Sequence, residues 1–233
     1  HQQVTLSVGY GSLAVVDPIR EFRTVVMQNR RQDNCVRDIT PNICNIRGME
    51  FNHNTRLIFP AGNEYNHFEI LDVHRTSQGV ERMEWFEPFY HATLFVESPP
   101  NNYSFIEDQN GVYVLRSSDD VDDDFTDEYV VVHFLLQTPR LPGGDLYVCG
   151  LWTGDDFNPD CRMEYDEQRG CYHAAVMLKQ GYYSYQYRQA DGSTLRTAGD
   201  FYQTENEYSV LIYHRGQGER YDRLVGYNRV KTR

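Results

Sequence analysis

The apolar residues of this chain recur at every second position, in short runs separated by turn residues. Such runs stand at residues 3–8 (QVTLSV), 22–28 (FRTVVMQ), 67–73 (HFEILDV), 129–137 (YVVVHFLLQ), 171–179 (CYHAAVMLK) and 207–214 (EYSVLIYH). A period of two places alternate side chains on opposite faces of an extended strand. No stretch sustains the period of an amphipathic helix, and tyrosine, valine and isoleucine are residues that favour sheets. The pattern predicts an all-β protein.

The acidic block SSDDVDDDFTDE (117–128) is the clearest interruption of these runs. Closely spaced like charges repel, so residues 117–126 are predicted to be a linker between a first β-sandwich domain (1–116) and a second (127–233). About seven strands in roughly 105 residues is the count typical of an immunoglobulin-like sandwich. We therefore expect two immunoglobulin-like β-sandwich domains in tandem. The alternative, a calcium loop in the acidic block, is disfavoured because the block has no glycine at its centre.

The charge balance restricts the classes of partner. The formal net charge is −12, and no concentration of lysine and arginine is present to bind nucleic-acid phosphates. No apolar run approaches the ~20 residues of a membrane-spanning helix, so direct membrane insertion is not expected. The chain begins HQQV without a methionine, and we expect that a signal peptide has been removed.

The five cysteines allow two short loops to be closed by disulfide bonds. Cys35 and Cys44 bracket one loop, and Cys161 and Cys171 bracket another. Either pair is a possible disulfide in an oxidising compartment. The alternative is that all five cysteines, including Cys149, are free and act as small apolar residues.

The sequence lacks the motifs of common enzymes. It has no G-x-S-x-G elbow, no phosphate-binding glycine loop and no H-E-x-x-H helix, and His133 is predicted to be an ordinary strand residue. The abundant carboxylates do not exclude a glycosidase. Such an enzyme needs two carboxyl groups at a defined separation, and the sequence does not give that distance. We predict a protein that is not an enzyme, with no catalytic, cofactor-binding or metal-binding residues.

Aromatic residues in loops suggest a binding surface instead. The order of strands and the loop around Trp152 resemble the early-set β-sandwiches attached to enzymes that handle starch and glycogen. In those modules exposed aromatic rings can stack on sugars, which makes Trp152, Phe157 and Trp85 candidates for an interaction surface. The alternative is that Trp152 closes one end of a hydrophobic core.

The segment MLKQGYYSYQYR (177–188) raises the same question for tyrosine. On a regular strand Tyr183, Tyr185 and Tyr187 share one face and Tyr182 lies on the other. The three-tyrosine face is predicted to pack in the core, and the segment is predicted to be a hairpin that turns near Lys179–Gly181.

Seven segments together resemble the type IX secretion system plug family of Bacteroidetes. They are VVMQNRRQDNCV (25–36), LIFPAGNEYNHFEIL (57–71), DEYVVVHFLL (127–136), GGDLYVCGLW (143–152), MLKQGYYSYQYR (177–188), GDFYQTENEYSVLIYHR (199–215) and RYDRLVGY (220–227). The resemblance implies a non-enzymatic periplasmic protein at the inner face of the outer membrane, where it binds and occludes the β-barrel translocon. Members usually carry a further β-domain upstream, and the resemblance transfers no catalytic residue. A glycan-binding module on an exported protein is the alternative function.

Overall fold

The computed structural model describes residues 1–118, 128–154 and 157–232. The strands in chain order are β1 (Gln2–Gln3), β2 (Leu6–Gly9), β3 (Phe22–Gln28), β4 (Val36–Arg37), β5 (Ile43–Asn45), β6 (Gly48–Phe51), β7 (Ile58–Phe59), β8 (Asn66–Ile70), β9 (Val80–Phe86), β10 (Phe89–Leu94), β11 (Tyr113–Leu115), β12 (Tyr129–Gln137), β13 (Leu146–Cys149), β14 (Arg162–Asp166), β15 (Cys171–Lys179), β16 (Gly181–Gln189), β17 (Glu207–His214) and β18 (Arg223–Lys231). One short helix, α1 (Pro18–Glu21), and 3-10 turns at Thr55–Leu57, Leu151–Thr153 and Pro159–Cys161 complete the described elements. The prediction of an all-β protein is confirmed.

The chain forms two compact units that are nested in sequence. Unit 1 consists of residues 1–61 and 201–233, and unit 2 consists of residues 62–200. This division differs from the predicted boundaries at 1–116, 117–126 and 127–233. The physical reason is strand pairing, because β3 pairs with the distant β17, and β10 pairs with β12. The predicted linker lies outside the described residues, apart from Ser117 and Ser118.

Unit 1 contains a four-stranded sheet and a three-stranded sheet. The first has the order β18-β17-β3-β4, the second has the order β2-β6-β5, and β1 pairs separately with β7. Its core includes Val26, Phe51, Leu57, Phe59 and Tyr208, each at most 2% exposed. The helix α1 begins after Asp17, whose carboxylate accepts hydrogen bonds from the backbone amides of Ile19 and Arg20, as expected of an N-cap.

Unit 2 is built on a nine-stranded sheet. Its order is β11-β16-β13-β14-β15-β12-β10-β9, and β8 also pairs with β16. Strand β12 shows the alternation read from the sequence, because Val130, Val132, Phe134 and Leu136 are buried and the residues between them are not. These side chains form one core cluster with Phe68, Tyr183, Tyr185 and Tyr187.

Strand β16 confirms one tyrosine prediction and corrects another. Tyr183, Tyr185 and Tyr187 are 2–3% exposed and belong to the core, as the alternation predicted. The segment is not a hairpin, however, because β15 pairs with β12 and β14 whereas β16 pairs with β8, β11 and β13. The chain changes partners at Gln180. Gly181 is required there because it has a φ of 154° and a Cβ would clash with the carbonyl oxygen of Val114.

In the described residues, no helix combines the length and the apolar character needed to cross a bilayer.

Candidate interaction surface

Trp85 lies at the exposed end of the β9–β10 hairpin in unit 2. Along the inward face of this hairpin Ala92 is buried, Tyr90 is half-buried and Trp85 is 54% exposed. The side chains therefore become progressively more exposed towards the turn at Glu87–Pro88. Trp85 stands opposite Tyr90, and their ring centroids are 4.7 Å apart in an edge-to-face arrangement. Tyr90 thus packs against Trp85, which remains more than half exposed.

Phe86 extends the aromatic surface to the outer face of the same hairpin. It is 56% exposed, and its ring meets the ring of His91 edge-on with centroids 5.2 Å apart. We call Trp85, Phe86, Phe89 and Tyr90 the aromatic tip. Strand β9 ends its sheet, so the aromatic tip lies at a sheet edge, where contact with another molecule is least obstructed.

Three histidines continue from the aromatic tip across the outer face of the sheet. The Nδ1 atom of His91 is 2.8 Å from Nε2 of His133, and Nδ1 of His133 is 3.0 Å from Nε2 of His173. The three rings are stacked, with centroids 5.1 and 5.3 Å apart. Each histidine comes from a different strand, namely β10, β12 and β15. We call this set the histidine row.

Two members of the histidine row, His133 and His173, have pKa values below the ordinary histidine value. Burial is the first cause that lowers the pKa of His133 to about 4, and the neighbouring His173 and His91 and the Arg82 guanidinium lower it further. Glu84 opposes this effect but is itself bound to Arg82 over 2.9 Å. Burial also lowers the pKa of His173. His133 is thus a strand residue, as predicted, but its two neighbours were not predicted from the sequence.

The row is not a convergent metal centre, because His133 uses its two ring nitrogens toward two different histidines. Among the described residues no group of three or more histidine, cysteine or carboxylate side chains is arranged to hold a metal ion. Most of the acidic block considered for calcium, residues 119–127, lies outside the described residues.

Trp152 fills a different role from Trp85. It lies in the 3-10 turn Leu151–Thr153, is half-buried and donates its indole hydrogen to the carbonyl oxygen of Ser184 over 3.1 Å. Its ring packs on Phe134 and Tyr183, with centroid distances of 6.3 and 5.7 Å. The structure agrees with the alternative interpretation that Trp152 closes the core of unit 2.

Phe157 is half-buried, and its ring contacts differ from those of Trp85 and Trp152. Its ring centroid is 5.2 Å from that of Tyr147, and the guanidinium carbon of Arg188 lies 5.8 Å from its centroid. In these contacts Trp85, Trp152 and Phe157 share no partner. Of the three predicted residues, only Trp85 is more than half exposed.

A polar cavity of about 280 Å³ in unit 2 contains the most perturbed carboxyl group of the described chain. Its lining includes Asn63, Asn66, Glu97, Asn102, Ser104 and Gln186. Glu97 accepts hydrogen bonds from the Tyr185 hydroxyl over 2.8 Å and from Nδ2 of Asn66 over 3.0 Å. Burial raises the pKa of Glu97 to about 7, although the tyrosine hydrogen bonds act to lower it.

Two acceptor atoms of the cavity lining are buried without a partner among the described residues, Oε1 of Gln186 and Oδ1 of Asn63. The Nε2 of Gln186 donates to the carbonyl oxygen of Asn63 over 3.1 Å, which fixes the amide in place. The two orphaned oxygens could accept hydrogen bonds from a ligand that carries hydroxyl or amide donors. Glu97 was not predicted from the sequence, because this residue ends an alternating run, where a charged side chain is normally exposed.

All five cysteines are free thiols in the structure, which agrees with the alternative in which neither of the two possible disulfides, Cys35–Cys44 and Cys161–Cys171, is formed. Cys171 pairs with Asp166 across β14 and β15. Cys161 ends the 3-10 turn before β14, and the length of β14 separates it from Asp166 by roughly 17 Å at 3.4 Å per residue. A disulfide needs Cα atoms within about 7 Å. Cys44 lies in the three-stranded sheet of unit 1, whereas Cys35 precedes β4 of the four-stranded sheet.

The strands define an all-β protein, and Trp85 and Phe86 form an exposed aromatic edge in unit 2. A crystal structure of a hypothetical protein from Parabacteroides merdae is similar to this chain, with a TM-score of 0.94 and 34% sequence identity. The match covers 99% of this chain and 60% of that protein, so this chain spans about three fifths of its length. No protein-family model matches the chain, and no curated protein matches it.

Proposed function

We propose that this chain belongs to a non-enzymatic component of the type IX protein secretion machinery. In this proposal it lies in the periplasm at the inner face of the outer membrane, where it binds and occludes the translocon β-barrel. The seven-segment sequence resemblance is its basis, and the similar protein from Parabacteroides agrees with an origin in Bacteroidetes. The proposal includes the finer fold assignment, in which each unit is an immunoglobulin-like or early-set β-sandwich.

The aromatic tip is the structural observation that best supports a binding role. Trp85 and Phe86 are both more than half exposed at a sheet edge. Aromatic residues dominate the energetics of protein interfaces, because they bury a large area at small entropic cost. A plug needs a rigid surface of this kind and no reactive group.

Co-purification tests the proposal in the native organism. The full-length protein is expected to co-purify with the outer-membrane translocon, and its deletion is expected to make the outer membrane leak small molecules through the barrel. Replacing Trp85 and Phe86 together by serine should weaken co-purification at least tenfold. Phe105→Ser is the matched control, since Phe105 is 54% exposed, like Trp85, in the same unit. The proposal fails if the wild-type protein never co-purifies and its deletion leaves permeability unchanged.

A glycan-binding module is the second candidate function, and the polar cavity around Glu97 is the observation in its favour. Sugar hydroxyls would satisfy the orphaned acceptors of Gln186 and Asn63. The early-set resemblance implied that Trp152 could stack on a sugar. Because Trp152 packs on the core of unit 2, it is not available for that role. Titrating the whole chain with α-glucan oligosaccharides and host glycans tests this function. Saturable binding that Gln186→Leu abolishes would support it, and no binding at millimolar sugar would exclude it.

A further inference from the structure

Two strands of unit 1 each present one unpaired edge to the same groove. Among the described strands β2 pairs only with β6, and β18 pairs only with β17. A groove of about 560 Å³ is lined by the consecutive residues 3–9 and, on β18 and just after it, by Gly226, Tyr227, Asn228, Val230 and Thr232. Consecutive residues of a strand point to alternate faces, so residues 3–9 meet the groove with their backbone edge, whereas β18 contributes mainly the alternate residues of one face. The groove therefore lies between the free edge of β2 and one face of the β17–β18 pair, beside the free edge of β18.

The floor of the groove is largely apolar and only partly covered by other side chains. It is formed by Tyr208, Val210 and Ile212 of β17. Their cross-strand partners are Val230, Asn228 and Gly226, which also line the groove, and Val230 is 52% exposed. Tyr208 is fixed, because its hydroxyl donates to Gln2 over 2.9 Å and accepts from Gln28 over 3.1 Å. An apolar floor beside unpaired strand edges fits an extended peptide.

The strand beside the groove is basic, although the chain as a whole is acidic. Strand β18 carries Arg223, Arg229 and Lys231 and no acidic residue, whereas the formal net charge of the chain is −12. Glu207, the cross-strand partner of Lys231, lies 3.2 Å from Arg30 and 3.5 Å from Arg229. One carboxylate thus faces three cations, which leaves local positive charge at the edge.

We propose that the groove binds an extended segment of a partner protein, in which apolar and acidic residues alternate, as an added β-strand. The apolar side chains of that segment would cover the floor, its backbone would pair with the free edges, and its carboxylates would meet Arg229 and Lys231. Edge-to-edge pairing of two copies of β18 would instead bring like charges together, which is unfavourable. The inference is independent of the proposed function, because it concerns unit 1 and any partner with this chemistry.

The probe is a capped nine-residue peptide in which valine and glutamate alternate, titrated against the whole chain. Binding is expected to protect backbone amides of β2 and β18 from hydrogen exchange. The same peptide with N-methyl groups at every second residue should bind at least tenfold more weakly, because it cannot donate those hydrogen bonds. A valine–lysine peptide should also bind at least tenfold more weakly.

Paired variants of β18 locate the site. Val230→Glu should weaken binding at least tenfold, whereas Leu224→Glu, at 53% exposure on the same strand but outside the groove lining, should change it less than threefold. No binding at millimolar peptide, or equal binding of the N-methylated peptide, would overturn the proposal. A concentration-dependent dimer that Val230→Glu abolishes would overturn it too, by assigning the groove to a second copy of the chain.

Discussion

Tyr185 donates its phenolic hydrogen to Oε1 of Glu97 across 2.8 Å, and the two residues lie 88 positions apart in the chain. Tyr185 is 2% exposed, and burial raises its pKa well above the usual value, with the charge of Glu97 adding to the effect. The pair places a carboxyl group beside the core of unit 2. Near neutral pH this carboxyl changes its charge while it remains buried.

Replacing Glu97 by glutamine should alter the pH dependence of stability. The pKa of Glu97 is raised from 4.5 to about 7 in the folded protein, so the unfolded chain loses this proton at a lower pH than the folded chain. The contribution of Glu97 to stability is fully present below about pH 4.5 and is lost as the pH rises to about 7. A shift of this size corresponds to about 3 kcal/mol in the free energy of unfolding.

Urea unfolding of wild type and Glu97→Gln between pH 4 and pH 8 measures this effect. The difference between the two proteins should change by about 3 kcal/mol across the window and level off above it. Glu107→Gln is the control. A difference that is constant with pH would show that Glu97 does not titrate in this window.

Removing the hydroxyl group of Tyr185 should cost more stability at high pH than at low pH. Tyr185→Phe keeps the ring but deprives Oε1 of Glu97 of a donor, which is most costly when the carboxylate is charged. We expect a loss of roughly 1–3 kcal/mol at pH 8 and a smaller loss at pH 5. Thermal unfolding at the two pH values gives the comparison. An equal loss at both would mean that the hydroxyl does not stabilise the carboxylate.

The histidine row should make unit 2 sensitive to acid. The pKa of His133 is lowered from 6.5 to about 4, so the unfolded chain takes up this proton before the folded chain does. The corresponding stability is present above about pH 6.5 and is lost as the pH falls towards 4. His133→Thr should therefore lose less stability than wild type between pH 7 and pH 4.

Thermal unfolding at these two pH values is the measurement, and His74→Thr, at an exposed position, is the control. Over the pH range where the two effects overlap, the stability contributed by His133 increases with pH, whereas that contributed by Glu97 decreases. The His133 and Glu97 variants must therefore be compared separately with wild type. If His133→Thr and wild type lose the same stability on acidification, the row does not titrate as described.

The free thiols should differ in reactivity in the order of their exposure. Cys44 is exposed and Cys35 is half-buried, whereas Cys149, Cys161 and Cys171 are buried. Burial raises the pKa of Cys161 to about 12, which suppresses its reactive thiolate. A thiol reagent should label Cys44 first and the three buried cysteines only after unfolding, and a reductant should leave the melting temperature unchanged. A clear drop in melting temperature on reduction would reveal a structural disulfide.

Local pattern was sufficient to predict individual strands but not their partners. The run at residues 129–137 became β12, and the burial of its alternate residues followed from period alone. The run ending at Lys179 was expected to pair with β16, yet the two strands belong to different parts of the sheet. Pairing depends on which distant surfaces bury the most apolar area together, and this property is not encoded in a short window.

The candidate sites escaped prediction for the same reason. His91, His133 and His173 each occupy an unremarkable position of their own strand. They become neighbours only because β10, β12 and β15 adopt one register. Glu97 is bound by Tyr185, which lies 88 residues later in the chain, so its environment is a property of the finished sheet.

The nested order of the two units has a consequence for synthesis of the chain. Gln28 of β3 hydrogen-bonds to Tyr208, 180 residues further on. Strand β3 therefore cannot pair with β17 until those residues have been synthesised. At roughly 5–20 residues per second the delay is about 10–40 s. All of unit 2 emerges during this interval and can fold first, while the first sixty residues remain without their central sheet partner. A molecule that protects unpaired strands would act on this segment during the delay.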